Sequence, residues 1–120
     1  MKIQRFEDLE AWQIARELTN QIYTITKKES ICRDFGFVDQ IRRAAISIMN
    51  NIAEGFERDN NKDFARFLGF SKGSAGEVRS MLYIAFDLQY ITKEKFDELY
   101  ELSMAIVKQI AKLKKYLRSV

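Results

Sequence analysis

Gln40 to Gly55 reads QIRRAAISIMNNIAEG, and projected as a helix this stretch is apolar over far more than one face. With about 100° per residue, Phe37, Val38, Ile41, Ala44, Ala45, Ile46, Ile48, Met49, Ile52, Ala53 and Phe56 sweep roughly 200° of the circumference. A surface helix needs an apolar stripe only somewhat over 100° wide. The excess predicts cover from more of this chain or from another copy of it, and so a helical bundle that assembles.

Outward from this segment, three more helices fit the periodicity. Upstream, from about Glu7 to Lys27, Leu9, Trp12, Ala15, Leu18, Ile22 and Ile25 recur at spacings of three and four and define a core face. The polar connection KKESICRDFG ends at Gly36, and the central helix is predicted from Phe37 to Arg58. After it, Asp59 to Asn61 make a break in which Asn60 or Asn61 can accept hydrogen bonds from the first free N–H groups of the next helix. That third helix carries Phe64, Phe67, Leu68, Ser71, Ala75, Val78, Met81, Leu82, Ala85 and Phe86 on one arc and runs to about Leu88. Thr92 is the expected N-cap of the fourth, Lys93 to Arg118, where Phe96, Leu99, Ile106, Ile110, Leu113 and Leu117 align. Short connections make neighbours antiparallel, so the expectation is an all-α, up-and-down four-helix bundle.

Composition agrees with one globular domain spanning residues 1–120. There is no Pro and there are only five Gly, which favours long uninterrupted helices. The lone Cys32 cannot form an internal disulfide, the N-terminal MKIQRFEDLE has no apolar core of a secretory signal, and cytoplasm is the default. The longest run without a polar residue, Met81 to Phe86, is far below the roughly 20 residues that span a bilayer. A net charge of +3 permits attraction to phosphate backbones without requiring it.

Catalysis has little to draw on. Without any His there is no side chain titrating near neutrality unperturbed and no His base for a nucleophile. Metal sites built from helix carboxylates ordinarily add a Glu-x-x-His element, which this chain lacks, so neither metal nor cofactor is expected. Asp34, Phe35 and Gly36 match the metal-binding tripeptide of protein kinases, but the glycine-rich and catalytic loops of that fold are missing and the match is chance.

Three polar or small-residue patterns remain. On the central helix Gln40, Arg43, Ser47, Asn51 and Glu54 fall within roughly 80°, with Arg58 in line. This is either a solvated face or a hydrogen-bonded set between helices or subunits; antiparallel packing about Asn60 brings Arg43 level with Glu77 and predicts an ion pair there. Ser71 and Ser74 read as small polar fillers bonded to a carbonyl one turn back. On the third helix Gly69, Gly73 and Gly76 share a face within about 60°. That spacing suits close approach of a backbone or ligand, or a helix that kinks or merely tolerates them. Finally, the fourth helix is acidic at its start and basic at its end, which complements its dipole. Lys108, Lys112 and Lys115 nevertheless share one face and, with Arg42, Arg43 and Arg58, form the candidate surface for phosphates of RNA or DNA.

The segments FEDLEAWQIARELTNQIY, QIRRAAISIMNNIAEG and GSAGE, in that order and at those separations, resemble the four helix bundle proteins, also known as S23 ribosomal or 23S rRNA intervening-sequence proteins. Members are encoded within insertions in bacterial large-subunit ribosomal RNA genes. The most specific part is Ser47, Asn51, Ile52, Ala53, Glu54 and Gly55, backed by Gln40, Arg42, Gly73, Ser74 and Glu77. The resemblance implies a bundle assembling as a homopentamer. It also implies kinship of fold with the accessory variability determinant protein of diversity-generating retroelements, which binds nucleic acid and a reverse transcriptase. It brings no catalytic residue. Many members carry a proline after the first helix, and Lys28 to Gly36 here has none. The function expected is therefore non-enzymatic: an oligomer that binds nucleic acid through basic surfaces. The alternative is an oligomeric scaffold or accessory subunit that docks a protein partner without touching nucleic acid.

Overall fold

The structure, a computed structural model, describes residues 3–120; Met1 and Lys2, included in the one-domain reading, lie outside the described residues. A 3-10 turn, Phe6–Asp8, leads into α1 (Glu10–Thr26), followed by α2 (Glu29–Cys32), α3 (Phe35–Glu57), α4 (Asn61–Asp87) and α5 (Lys93–Arg118). The four long helices form the antiparallel up-and-down bundle: α1 packs on α3 and α5, and α4 packs on the same two from the other side.

Each boundary has a local cause. The Asn60 side chain accepts from the Asp63 N–H at 2.8 Å and starts α4, and Thr92 accepts from the Lys95 N–H at 3.1 Å and starts α5. Asp34 does the same for the Phe37 N–H, so α3 begins at Phe35, ahead of Gly36 rather than after it. The asparagine and threonine caps agree with the sequence; the α3 start corrects it. Two further corrections concern the first third of the chain. The segment from Phe6 to Asp8 coils more tightly than an α-helix, so α1 proper starts at Glu10. The connection read as a plain polar loop contains α2, whose Ile31 is fully buried beneath it.

Leu18, Ile22, Ile41, Ile48, Ile52, Leu68, Val78, Leu82, Leu99, Ile106 and Ile110 make the core, drawn from every long helix. Phe67, expected in it, is half-buried, and Phe86 is 39% exposed. On α3 the wide apolar arc divides. Phe37, Ile41, Ala44, Ala45, Ile48 and Ile52 are buried, whereas Val38, Ile46, Met49, Ala53 and Phe56 are covered only in part. Exposed large apolar side chains lie at Phe35 where α3 begins, at Phe70, Tyr83, Ile84 and Leu88 on and just beyond α4, and at Val120.

Candidate nucleic-acid interface

The six basic candidates separate into two kinds. Lys108, Lys112 and Lys115 are exposed on the outer side of α5, and none has an acid within ion-pair distance among the described residues. Their spacing of four and three places them one above the next on a helix whose opposite face, Ile106, Ile110, Leu113 and Leu117, is in the core. Lys112 also borders a cleft of about 370 Å³ between the start of α1 and the end of α5, with Asp8, Glu10 and Tyr116 on its other walls.

The arginines are already engaged. Arg42 lies with its guanidinium 4.2 Å from the centre of the Tyr23 ring and donates from Nε to Thr26 Oγ1 at 2.9 Å, which pins α3 to α1. Arg43 pairs with Asp39 and Arg58 with Glu54, both at 2.9 Å and both one turn apart in exposed positions. Such pairs contribute roughly 0–1 kcal/mol. Arg58 also covers the Phe67 ring at 4.8 Å.

The polar ladder of α3 is both things the sequence allowed, divided along its length. Gln40 and Ser47 bond across to α4, Gln40 Nε2 donating to Glu77 Oε2 at 3.1 Å and Ser74 Oγ to Ser47 Oγ at 2.8 Å, while Asn51 Nδ2 donates to Ser47 Oγ on its own helix at 2.9 Å. Glu54, Arg58 and Arg43 stay in solvent. The predicted Arg43–Glu77 ion pair is therefore replaced by Gln40–Glu77. The predicted register holds, since Ser47 meets Ser74 and Ile48 meets Ser71, but Arg43 turns along its own helix to Asp39 and leaves Glu77 to the residue one turn before it. Ser71 and Ser74 are likewise corrected: their hydroxyls donate across the seam, to the Ile48 carbonyl at 2.9 Å and to Ser47 Oγ at 2.8 Å, rather than back along α4.

Within the chain the glycine face makes no close approach. A Cβ on Gly73 meets nothing within 4 Å, one on Gly69 meets only the tip of Lys114 at 3.7 Å, and one on Gly76 the tip of Arg79 at 3.6 Å. The close approach is at Gly55, where a Cβ would lie 2.7 Å from that of Phe67. Other polar contacts had no signal in spacing: buried Thr19 bonds the Ala45 carbonyl at 3.3 Å, Arg79 donates to Ser103 at 3.2 Å, and Tyr90 donates to Asp34 at 2.8 Å. The Asp34 bond holds the Tyr90 phenol above its ordinary value of 10.0, with burial and the carboxylate charge acting in the same direction. Among the described residues no three of His, Cys, Asp and Glu gather where a metal would bind, and no helix is long and apolar enough to cross a membrane.

The bundle is similar to a crystal structure, at 1.70 Å resolution, of a protein of unknown function from the S23 ribosomal protein family of Bacteroides thetaiotaomicron VPI-5482. The TM-score is 0.80 and the identity 24%, over 88% of this chain and 95% of that one, so the two share a fold. No curated protein matches. The family model described as 23S rRNA-intervening sequence protein matches residues 7–113, from the turn before α1 to the last third of α5. With almost the whole bundle inside that match, the chain belongs to the 23S rRNA-intervening sequence protein family.

Proposed function

We propose that this protein is a non-enzymatic, oligomeric, cytoplasmic bundle that holds RNA or DNA by its phosphates through the lysine stripe of α5. The observation that carries the reading is the set Lys108, Lys112 and Lys115: three exposed cations on one helix face, none of them in an ion pair among the described residues. Arg42, Arg43 and Arg58 are committed to partners in their own chain and add background charge. An oligomer repeats the stripe on each copy, so weak phosphate contacts sum through multivalency.

The test is retention of RNA on the purified oligomer across a salt series. Each phosphate contact releases condensed counterions, so affinity falls steeply with salt. Lys108→Gln, Lys112→Gln and Lys115→Gln together should flatten the slope of log K against log salt by about 2 to 3 for each stripe in contact. A flat salt response, or a slope unchanged in the triple variant, overturns the reading. A scaffold that docks a protein partner is the second reading, favoured by Tyr83 and Leu88, each more than half exposed near the end of α4. A partner that stays bound after nuclease treatment, with no RNA retained, identifies that case.

A further inference from the structure

We infer that Phe70 is a stacking platform for an unpaired base of single-stranded nucleic acid, with Lys72 and Lys114 holding the adjoining phosphates. This rests on the phosphate-binding function proposed above and adds to it a second site, on α4, and a class of ligand whose bases are free of a duplex.

Phe70 is 48% exposed on the outward side of α4. Side chains on a helix lean toward its N-terminus, so the ring lies over the preceding turn. There it meets Phe67 edge to face at 5.4 Å and has the Arg66 guanidinium 5.7 Å from its centre. Arg58 and Arg66 stand 4.8 and 4.9 Å from the centre of the Phe67 ring and hold that support in place. The side chains that would lean onto Phe70 from the following turn belong to positions 73 and 74. Gly73 has none, and a Cβ built there meets nothing within 4 Å. Ser74 is drawn into the seam by its bond to Ser47 at 2.8 Å. Phe70 is therefore braced from one side and bare on the other, as a ring that stacks a base must be.

Charge completes the site. On the side of α4 toward α5, Lys72 is exposed, and Lys114 reaches across until its Nζ lies 3.7 Å from where a Gly69 Cβ would stand. Neither lysine is in an ion pair among the described residues. Of the acids nearby, Glu54 pairs with Arg58 at 2.9 Å, Asp63 with Arg66 at 3.6 Å, and Glu77 accepts from Gln40. Glu57 and Asp59 are exposed and in no ion pair among the described residues. They lie toward the turn of the hairpin: with Ile48 level with Ser71, Glu57 is level with Lys62, about two turns of α4 from Phe70. Between ring and lysines, Gly69 and Gly73 put no side chain in the way, so a strand can run along α4 with bases toward Phe70 and phosphates toward Lys72 and Lys114. A duplex keeps its base faces stacked inside and has none to offer.

Two probes of equal length separate base from backbone: a twelve-residue oligothymidylate and a twelve-residue abasic strand with the same phosphates. Each is end-labelled and titrated with the full chain at low salt by fluorescence anisotropy. The oligothymidylate should bind about ten-fold tighter. Phe70→Ala and Phe70→Leu should both remove that advantage, the second keeping apolar bulk without a flat face, whereas Phe70→Trp should keep it. Affinity for the abasic strand should stay the same in all three. Equal affinity of the parent for the two probes, or an advantage that survives Phe70→Leu, overturns the platform and leaves the phosphate reading standing. Binding of neither probe overturns both. Lys72→Gln with Lys114→Gln should weaken both probes alike and flatten the slope of log K against log salt by about 1. An unchanged slope overturns the assignment of the phosphates to these two lysines.

Discussion

A Cβ built on Gly55 would stand 2.7 Å from the Cβ of Phe67, 3.1 Å from Cδ1 of Phe64 and 3.3 Å from the Phe64 carbonyl oxygen. The nearest atom is fixed to the α4 backbone, so no side-chain rotation relieves the clash, and α3 and α4 must part. Gly55→Ala should therefore lower stability by about 1–3 kcal/mol in urea unfolding. Gly36→Ala, where a Cβ meets nothing within 4 Å, should be neutral or raise it by up to about 1 kcal/mol. The two glycines look alike in the sequence, one near each end of the same helix. Spacing tells which residues share a face but not which face a neighbouring helix will press against, and this is why close approach was expected at Gly69, Gly73 and Gly76 instead. Tyr90 shows the same limit, because it meets Asp34 across 56 positions of chain. Its phenol titrates higher folded than unfolded, so the stabilisation is fully present below the unfolded value near 10.0 and is lost as pH rises through the folded one. Tyr90→Phe should lower stability at neutral pH, and that difference should vanish in strong alkali when both proteins are unfolded by urea.

At the scale of elements, the seam between α3 and α4 is where small polar side chains replace apolar ones without loss of cohesion. Ser71 donates to the Ile48 carbonyl and Ser74 to Ser47, both within 3 Å, so small polar residues let the helices sit close while no buried side-chain donor among the described residues lacks a partner. The hairpin that creates this seam depends on the Asn60 cap. Asn60→Ala should cost about 1 kcal/mol and increase fraying of the first turn of α4, read as faster amide exchange at Asp63, whose N–H loses its acceptor. That cap was legible, as was Thr92, because a side chain that accepts from the backbone three residues on acts through local geometry alone. The start of α3 was not. Gly36 reads as the last residue of the connection, yet a glycine just inside a helix costs too little to override an Asp34 cap and the burial of Phe37. The turn of α2 escaped for a different reason: four residues show no periodicity, and only the burial of Ile31 against the bundle fixes them as helix.

The whole molecule is a rod of 48 × 22 × 19 Å, and a rod of four helices exposes more of each helix than a sphere of the same volume would. Excess apolar width on α3 was legible as a need for cover. The sequence did not show how far the chain's own helices would supply it, because that depends on how α1 and α4 flank α3. They cover Ile41, Ala45, Ile48 and Ile52 completely, Val38, Ile46 and Met49 in part, and Phe35 hardly at all. What is left predicts a measurement on the intact protein. If copies associate through such surface, folding and assembly are linked by mass action, and the melting temperature rises with protein concentration. Phe35 is the probe, since it is 77% exposed within the chain and its replacement leaves the interior of the bundle untouched. Phe35→Ser should change the stability of the isolated bundle by no more than about 0.5 kcal/mol at the lowest concentrations, as for an ordinary surface position. At high concentration the same variant should melt below the parent protein, and its melting temperature should depend less on concentration. Equal melting curves for parent and variant at every concentration would show that Phe35 is simply wetted, and that assembly, if any, uses another side of the rod.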